Sequence, residues 1–189
     1  MAQSNIHWPY FLSLESDLDS LSRCIEIDER NFSVFSVELT RLFLTTCAEI
    51  DAVMKELCEL LSPGCSPKNI VDYRKIIKDG LPGFINQETI CSKYGLRLTP
   101  WQAWGEDQSP EWWQHHNDVK HRRSEHFEKA NLANVLHSMA ALYSVNIQFN
   151  HHLVCHNSRF PEDLCTTLRM LPRNLDLFRI DSPFAYLID

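Results

Sequence analysis

Nine apolar residues, Leu39, Leu42, Phe43, Ile50, Val53, Met54, Leu57, Leu60 and Leu61, recur at helical intervals between residues 34 and 61. That pattern predicts one long helix with a single buried face, and Glu38, Arg41, Glu56 and Glu59 fall on its polar sides. Ser62-Pro63-Gly64 ends it, because proline lacks the N–H that a further turn requires. Cys47 and Cys58 sit on or beside the apolar side, where a thiol packs as a small hydrophobe.

The remaining chain is punctuated around shorter helical patterns. Residues 1–33 mix aromatics with Ser, Asp and Glu and read as a short helix or extended arm ending near Asn31. Ser66-Pro67 has the form of an N-cap with proline at the first helical position, opening a short helix to Asp79. Gly80, Pro82 and Gly83 break it, and residues 84–98 form short strands or a long loop. Residues 99–110, with Trp101 and Trp104, read as an irregular connection. Ser109-Pro110-Glu111 repeats the start signal and opens a helix over 112–123. Another helix follows, with Phe127, Leu132, Val135, Leu136, Met139, Leu142, Tyr143 and Ile147 on one face. Beyond Phe149 the pattern weakens, and Pro161, Pro172 and Pro183 divide a tail of short pieces.

No repeat, low-complexity tract or linker interrupts this order. The expectation is a single all-α domain over residues 1–189, with its core at about 31–150. A less regular insert falls around 80–108, and an irregular tail over 151–189 packs on the core or binds a partner. With 44% hydrophobic and 23% charged residues, the 189-residue chain is globular in composition. Its net charge of −7 argues against non-specific coating of nucleic acid, while leaving room for a local basic patch. Seven scattered cysteines without a CxxC pair suit reduced thiols, and the first residues lack the basic and apolar regions of a signal peptide. A cytoplasmic protein without membrane contact is expected.

Histidine is unevenly placed: eight of nine lie between residues 115 and 156. His115, His116 and His121 fall in HHNDVKHRR, where Lys120, Arg122 and Arg123 face the single acid Asp118. On a helix, Asn117 and His121 share a face with Trp113, and His116, Lys120 and Arg123 lie on the adjoining one. An imidazole titrating near neutrality, an amide to orient it and fixed cations are the parts needed to cleave RNA without a metal. The same residues also suit an ordinary helix end, with Trp112 and Trp113 anchoring it and the cations meeting its last carbonyls.

The run from Pro100-Trp101 through Trp104, Pro110-Glu111-Trp112-Trp113-Gln114-His115-His116-Asn117-Asp118-Val119-Lys120-His121-Arg122 and Phe127 to Ala130-Asn131-Leu132 and Ala140-Ala141-Leu142 resembles bacterial HEPN-fold proteins. HEPN stands for higher eukaryotes and prokaryotes nucleotide-binding. Asn31, Phe35-Ser36-Val37-Glu38 and Cys47-Ala48-Glu49-Ile50-Asp51 are similar to the first long helix of the same branch. The two matches span residues 31–61 and 99–145, about 40% of the chain.

The resemblance implies an up-and-down helical bundle, usually a homodimer, whose active members cleave RNA without a metal through an Arg followed four to six residues later by His. Here His116 stands where Arg is expected, Asn117 at the following polar position and His121 at the catalytic His. A histidine lacks the planar charged fork of arginine. Lys120, Arg122 and Arg123 are the phosphate-contacting candidates, and Glu49 or Asp51 the polar partner from another helix. Asp51 equally suits a surface pair with Lys55, four residues on.

A second cluster, His152, Cys155 and His156, has an i,i+4 histidine spacing that suits zinc if the segment is helical, with Cys165 as a further thiolate. It lacks an intervening acid and a CxxC, and no metal or cofactor is expected. A Gly-rich phosphate loop and a Gly-x-Ser-x-Gly elbow are both missing from the sequence. Three functions stay open. The first is a metal-independent ribonuclease of toxin or antiphage type, with an antitoxin or other protein partner. The second is a non-catalytic module for dimerisation or for binding a nucleotide or protein. The third is a metal protein using the second cluster.

Overall fold

The computed structural model describes residues 6–157, 167, 169, 171–172 and 175–180. Five helices appear among them: α1 (His7–Leu21), α2 (Val37–Leu61), α3 (Ile70–Gly80), α4 (Glu111–His126) and α5 (Leu132–Asn157). The fold is predominantly helical.

Helix α2 begins where Ser36, in extended backbone, accepts the Leu39 N–H on its hydroxyl oxygen at 3.1 Å. It ends at Ser62, as the Pro-Gly break requires. Its apolar stripe is fully buried from Leu39 to Leu57 and partly buried at Leu60 and Leu61, and its most extensive neighbour is α5. Leu132 and Ala133 donate their N–H groups to the carbonyls of Val34 and Phe32, so the two helices start side by side. Farther along, Thr46 donates to the Met139 sulfur, and His7 of α1 meets both Glu49 and Phe149. The pair therefore runs in one direction, with α1 laid across it the opposite way.

Helix α5 is central. Every residue from 138 to 147 is buried, because α1, α2, α4 and the sheet surround it. Its polar residues return their hydrogen bonds to their own helix: Ser138 to Val135, Ser144 to Ala141, Asn146 to Leu142 and Asn150 to Asn146. It continues through Asn157, past the point near Phe149 where the sequence pattern weakens.

The all-α expectation needs correction. Three short strands, β1 (Thr89–Cys91), β2 (Leu96–Leu98) and β3 (Phe178–Ile180), form an antiparallel sheet in the order β2-β1-β3. Thr89 pairs with Leu98 on one side and with Ile180 on the other. Three residues are too few to show a period of two, and β3 joins from far along the chain. The region around 80–108 is thus an ordered hairpin and 3₁₀ turns at Phe84–Asn86, Ser92–Tyr94 and Gln102–Glu106. Two helix starts also differ. Asn69 caps α3 by accepting the N–H groups of Val71 and Asp72, displacing Ser66-Pro67 from that role. Pro110 precedes α4 without a side-chain cap.

The core extends beyond 31–150 at both ends. Trp8, Phe11, Leu14 and Leu18 of α1 are buried in it, as are Leu177, Phe178 and Ile180. Glu15, 2% exposed, accepts the Leu177 N–H at 2.9 Å and so ties β3 to α1. Burial pushes its carboxyl above the ordinary range, against the opposing pull of the Leu177, Leu175 and Phe178 backbone. Glu15→Ala leaves that N–H without its acceptor and is expected to cost about 2 kcal/mol, read from the urea midpoint. Because the carboxyl is raised in the folded state, its contribution is fullest below pH 4.5 and declines as pH rises through the raised value. The variant's stability profile should lack that decline.

Candidate functional site

A chain of aromatic contacts sets helix α4 in place. Phe84 packs on Trp101 with ring centroids 5.7 Å apart, Trp101 on Trp112 at 5.3 Å, and Trp112 on Trp113 at 5.7 Å. Trp113 meets His116 at 5.2 Å, and His116 stands edge-on to Phe43 of α2 at 6.1 Å. Two of the indole N–H groups are satisfied on the way: Trp101 donates to the Ser144 hydroxyl and Trp112 to the Pro100 carbonyl. Trp112 and Trp113 are buried anchors, as their sequence positions suggest.

Where this chain meets α2, a cleft of about 540 Å³ opens between α2, the start of α3 and one face of α4. Helix α2 lines it with Leu44, Cys47, Ala48 and Asp51; Lys68, Asn69 and Ile70 come from the start of α3. Helix α4 supplies Trp113, His116, Asn117 and Lys120, which is one face at steps of three and four.

His116 forms the inner wall. The residue is 5% exposed and its Nδ1 is buried without a hydrogen-bond partner. Burial first, then the nearby Lys120 charge, pulls its pKa down to about 4, with Asp51 pulling weakly the other way. The ring is therefore uncharged at neutral pH and does not replace the arginine cation. Lys68, Asn117 and Lys120 are exposed, and neither lysine ammonium has an acceptor among the described residues. Asp51 is held by two neighbours: the Tyr73 hydroxyl donates to it at 2.6 Å and the Lys55 ammonium at 2.5 Å. The surface pair with Lys55 and a place in the cleft are thus both true of Asp51. Burial and this contact raise the Tyr73 hydroxyl's pKa.

The other sequence candidates lie elsewhere. Glu49 turns toward α1, its carboxylate 2.6 Å from His7 Nδ1. His121 is exposed and does not line the cleft, although it shares a helical face with Asn117 in an ideal projection. Directly after it, Arg122 leaves helical geometry (φ −142°, ψ 55°), so Arg122 and Arg123 project from beyond a kink. Arg122 pairs loosely with Glu125 at 3.5 Å, and Arg123 is exposed. Sequence reasoning missed Lys68 and Cys47 as cleft residues. Lys68 sits about 50 residues from the histidine cluster with no spacing to mark it. The Cys47 thiol, fully buried, is held well above its ordinary pKa by burial.

On the opposite side of α4, His115 contacts Asn134 at 2.9 Å, and His137 lines a smaller cavity of about 220 Å³. In the second histidine cluster, His152 Nδ1 faces the Gln148 carbonyl at 2.8 Å, and Cys155 lies 3.7 Å from His151 Nε2. The His156 side chain and Cys165 lie outside the described residues. Among those described, no three His, Cys, Asp or Glu side chains converge to hold a metal, and no helix is long and apolar enough to cross a membrane.

No family model, curated protein or solved structure matches the chain.

The uncharged state of His116 is directly measurable. Its imidazole should titrate with a midpoint of about 4 in a proton–nitrogen NMR series. Because folding depresses this pKa from 6.5, the linked stability is present above pH 6.5 and is lost as pH falls through about 4. The loss amounts to up to about 3 kcal/mol and should be absent in His116→Phe.

Proposed function

We propose that this is a HEPN-like helical protein that binds a phosphate-bearing ligand, RNA or a nucleotide, in the cleft between α2, α3 and α4. One observation carries the reading. Lys68 and Lys120 present unpaired ammonium groups to a cleft whose one lining carboxylate, Asp51, is already engaged by Lys55 and Tyr73. Lysine meets phosphate as a point charge, and the Asn117 amide adds a neutral donor or acceptor. The protein acts in the cytoplasm, as a homodimer or with a protein partner such as an antitoxin.

A metal-independent endoribonuclease of toxin or antiphage type is the second reading, favoured by His121. That ring is exposed, follows Lys120 directly and lies near enough to His116 to affect its charge. Asn117 would orient His121, and Arg122 and Arg123 would hold the RNA from beyond the kink.

Binding is tested by fluorescence polarisation with a labelled mixed-sequence single-stranded RNA. Lys120→Ala should weaken binding about tenfold and lower its salt dependence. Unchanged affinity in that variant would remove the cleft from the account. The same RNA incubated with protein in EDTA tests the second reading: cleavage by the wild type that disappears in His121→Ala and Asn117→Ala supports it. Intact RNA at concentrations where it is fully bound leaves a binding module.

A further inference from the structure

The cleft carries more positive charge than a single internal phosphodiester can neutralise. Its two lysines come from different elements, Lys68 ahead of α3 and Lys120 on α4, and neither is paired. Of the other five lysines, Lys55, Lys78, Lys93 and Lys129 each lie against an aspartate at 2.5–2.9 Å, and only exposed Lys75 is also unpaired among the described residues. The charge of Asp51 is spent outside the cleft's own lysines, on Lys55. The first turn of α3 adds nothing, because Asn69 already accepts the Val71 and Asp72 N–H groups and Asp72 accepts that of Lys68.

His116 supplies an independent indication of a ligand. Its Nδ1 is sealed away without a partner, which is tolerable for a bare lone pair and costly for an N–H. That favours the tautomer with the proton on Nε2. Nε2 has no hydrogen-bond partner and is not among the sealed atoms, so on this cleft-lining ring its N–H is the donor left for a ligand. The inner wall thus offers an uncharged donor between two cations, a set that suits an oxygen-rich anion and gives nothing to a cation.

We infer that the cleft recognises a dianionic phosphomonoester, a terminal phosphate, in preference to an internal phosphodiester. Lys68 and Lys120 take its two charges and the His116 N–H takes a third oxygen. This assignment rests on the phosphate-binding reading above and narrows it to an end group. A phosphomonoester carries close to two negative charges at pH 7, whereas a phosphodiester carries one. Only the former leaves both lysines neutralised.

The test compares one short single-stranded RNA in three forms, with a 5′-phosphate, with a 3′-phosphate and with hydroxyls at both ends, measured by polarisation at pH 7.5. Ribose 5-phosphate serves as a competitor. One phosphorylated form should bind at least about tenfold more tightly than the hydroxyl form. That preference should vanish in Lys68→Ala and in Lys120→Ala, both exposed positions whose thermal melts stay at the wild-type value. Competition by ribose 5-phosphate as strong as that of the RNA end identifies a small phosphomonoester as sufficient; weak competition assigns the site to an RNA end. Equal binding of all three RNAs, sensitive to Lys120→Ala, overturns the end-group assignment and leaves phosphate binding standing. Failure of every form to bind overturns both.

Discussion

The structure depends on burying a helix from every side. Helix α5 has no solvent face over residues 138–147, so its side chains must suit neighbours in all directions. The small ones permit close approach, the large ones fill the seams, and Ser138, Ser144 and Asn146 are short enough to bond the preceding turn. Helices α1, α2 and α4 each present one apolar stripe to this axis and turn a polar face outward. A charge or a long polar side chain anywhere on that stretch would strand a group without water, which explains why none is present.

From that axis the geometry of the cleft follows. Trp101 reaches α5 through Ser144 and hands contact on through Trp112 and Trp113 to His116, so one wall of the cleft is fixed by rigid rings. The opposite wall is α2, itself fixed along α5. The polar groups differ in kind across this space. His116 is inside the packing and has surrendered its charge, whereas Lys120, one turn on, is outside it and retains its own. A buried neutral ring beside free cations suits recognition of an anion better than shuttling of a proton, because the ring near the anion does not titrate in the working range.

Much of the fold was legible because one-sided burial leaves a period in the sequence. Helix α2 is the clearest case: its stripe and its Ser-Pro-Gly stop place it to within three residues of the observed Val37–Leu61. Helix α5 was read short because a helix buried all round carries little amphipathic signal, and its end at 151–157 is rich in histidine. β1 and β2 fall within the 84–98 stretch read as short strands or a loop, whereas β3 escaped because pairing between Cys91 and Phe178 is a tertiary fact, without local trace. The candidate site was legible in part. His116, Asn117, Lys120 and Asp51 were all singled out and all line one cleft, whereas His121 and the two arginines lie off it. The ideal helical projection failed there because α4 stops being helical at Arg122, and because it does not show which face the tryptophans pull inward.

The clasp between Glu15 and Leu177 has a temporal side. The Trp8 indole N–H likewise donates to the Pro172 carbonyl, so α1 is held at two points by chain made some 160 residues later. During synthesis at about 5–20 residues per second, α1 waits roughly 10–30 s before these partners emerge. Until then the Glu15 carboxylate lacks the Leu177 N–H that donates to it, and the side of β1 that pairs with β3 is open. A chain ending before residue 170 has made neither the Pro172 carbonyl nor the Leu177 N–H, so this seam closes only once those late residues are made.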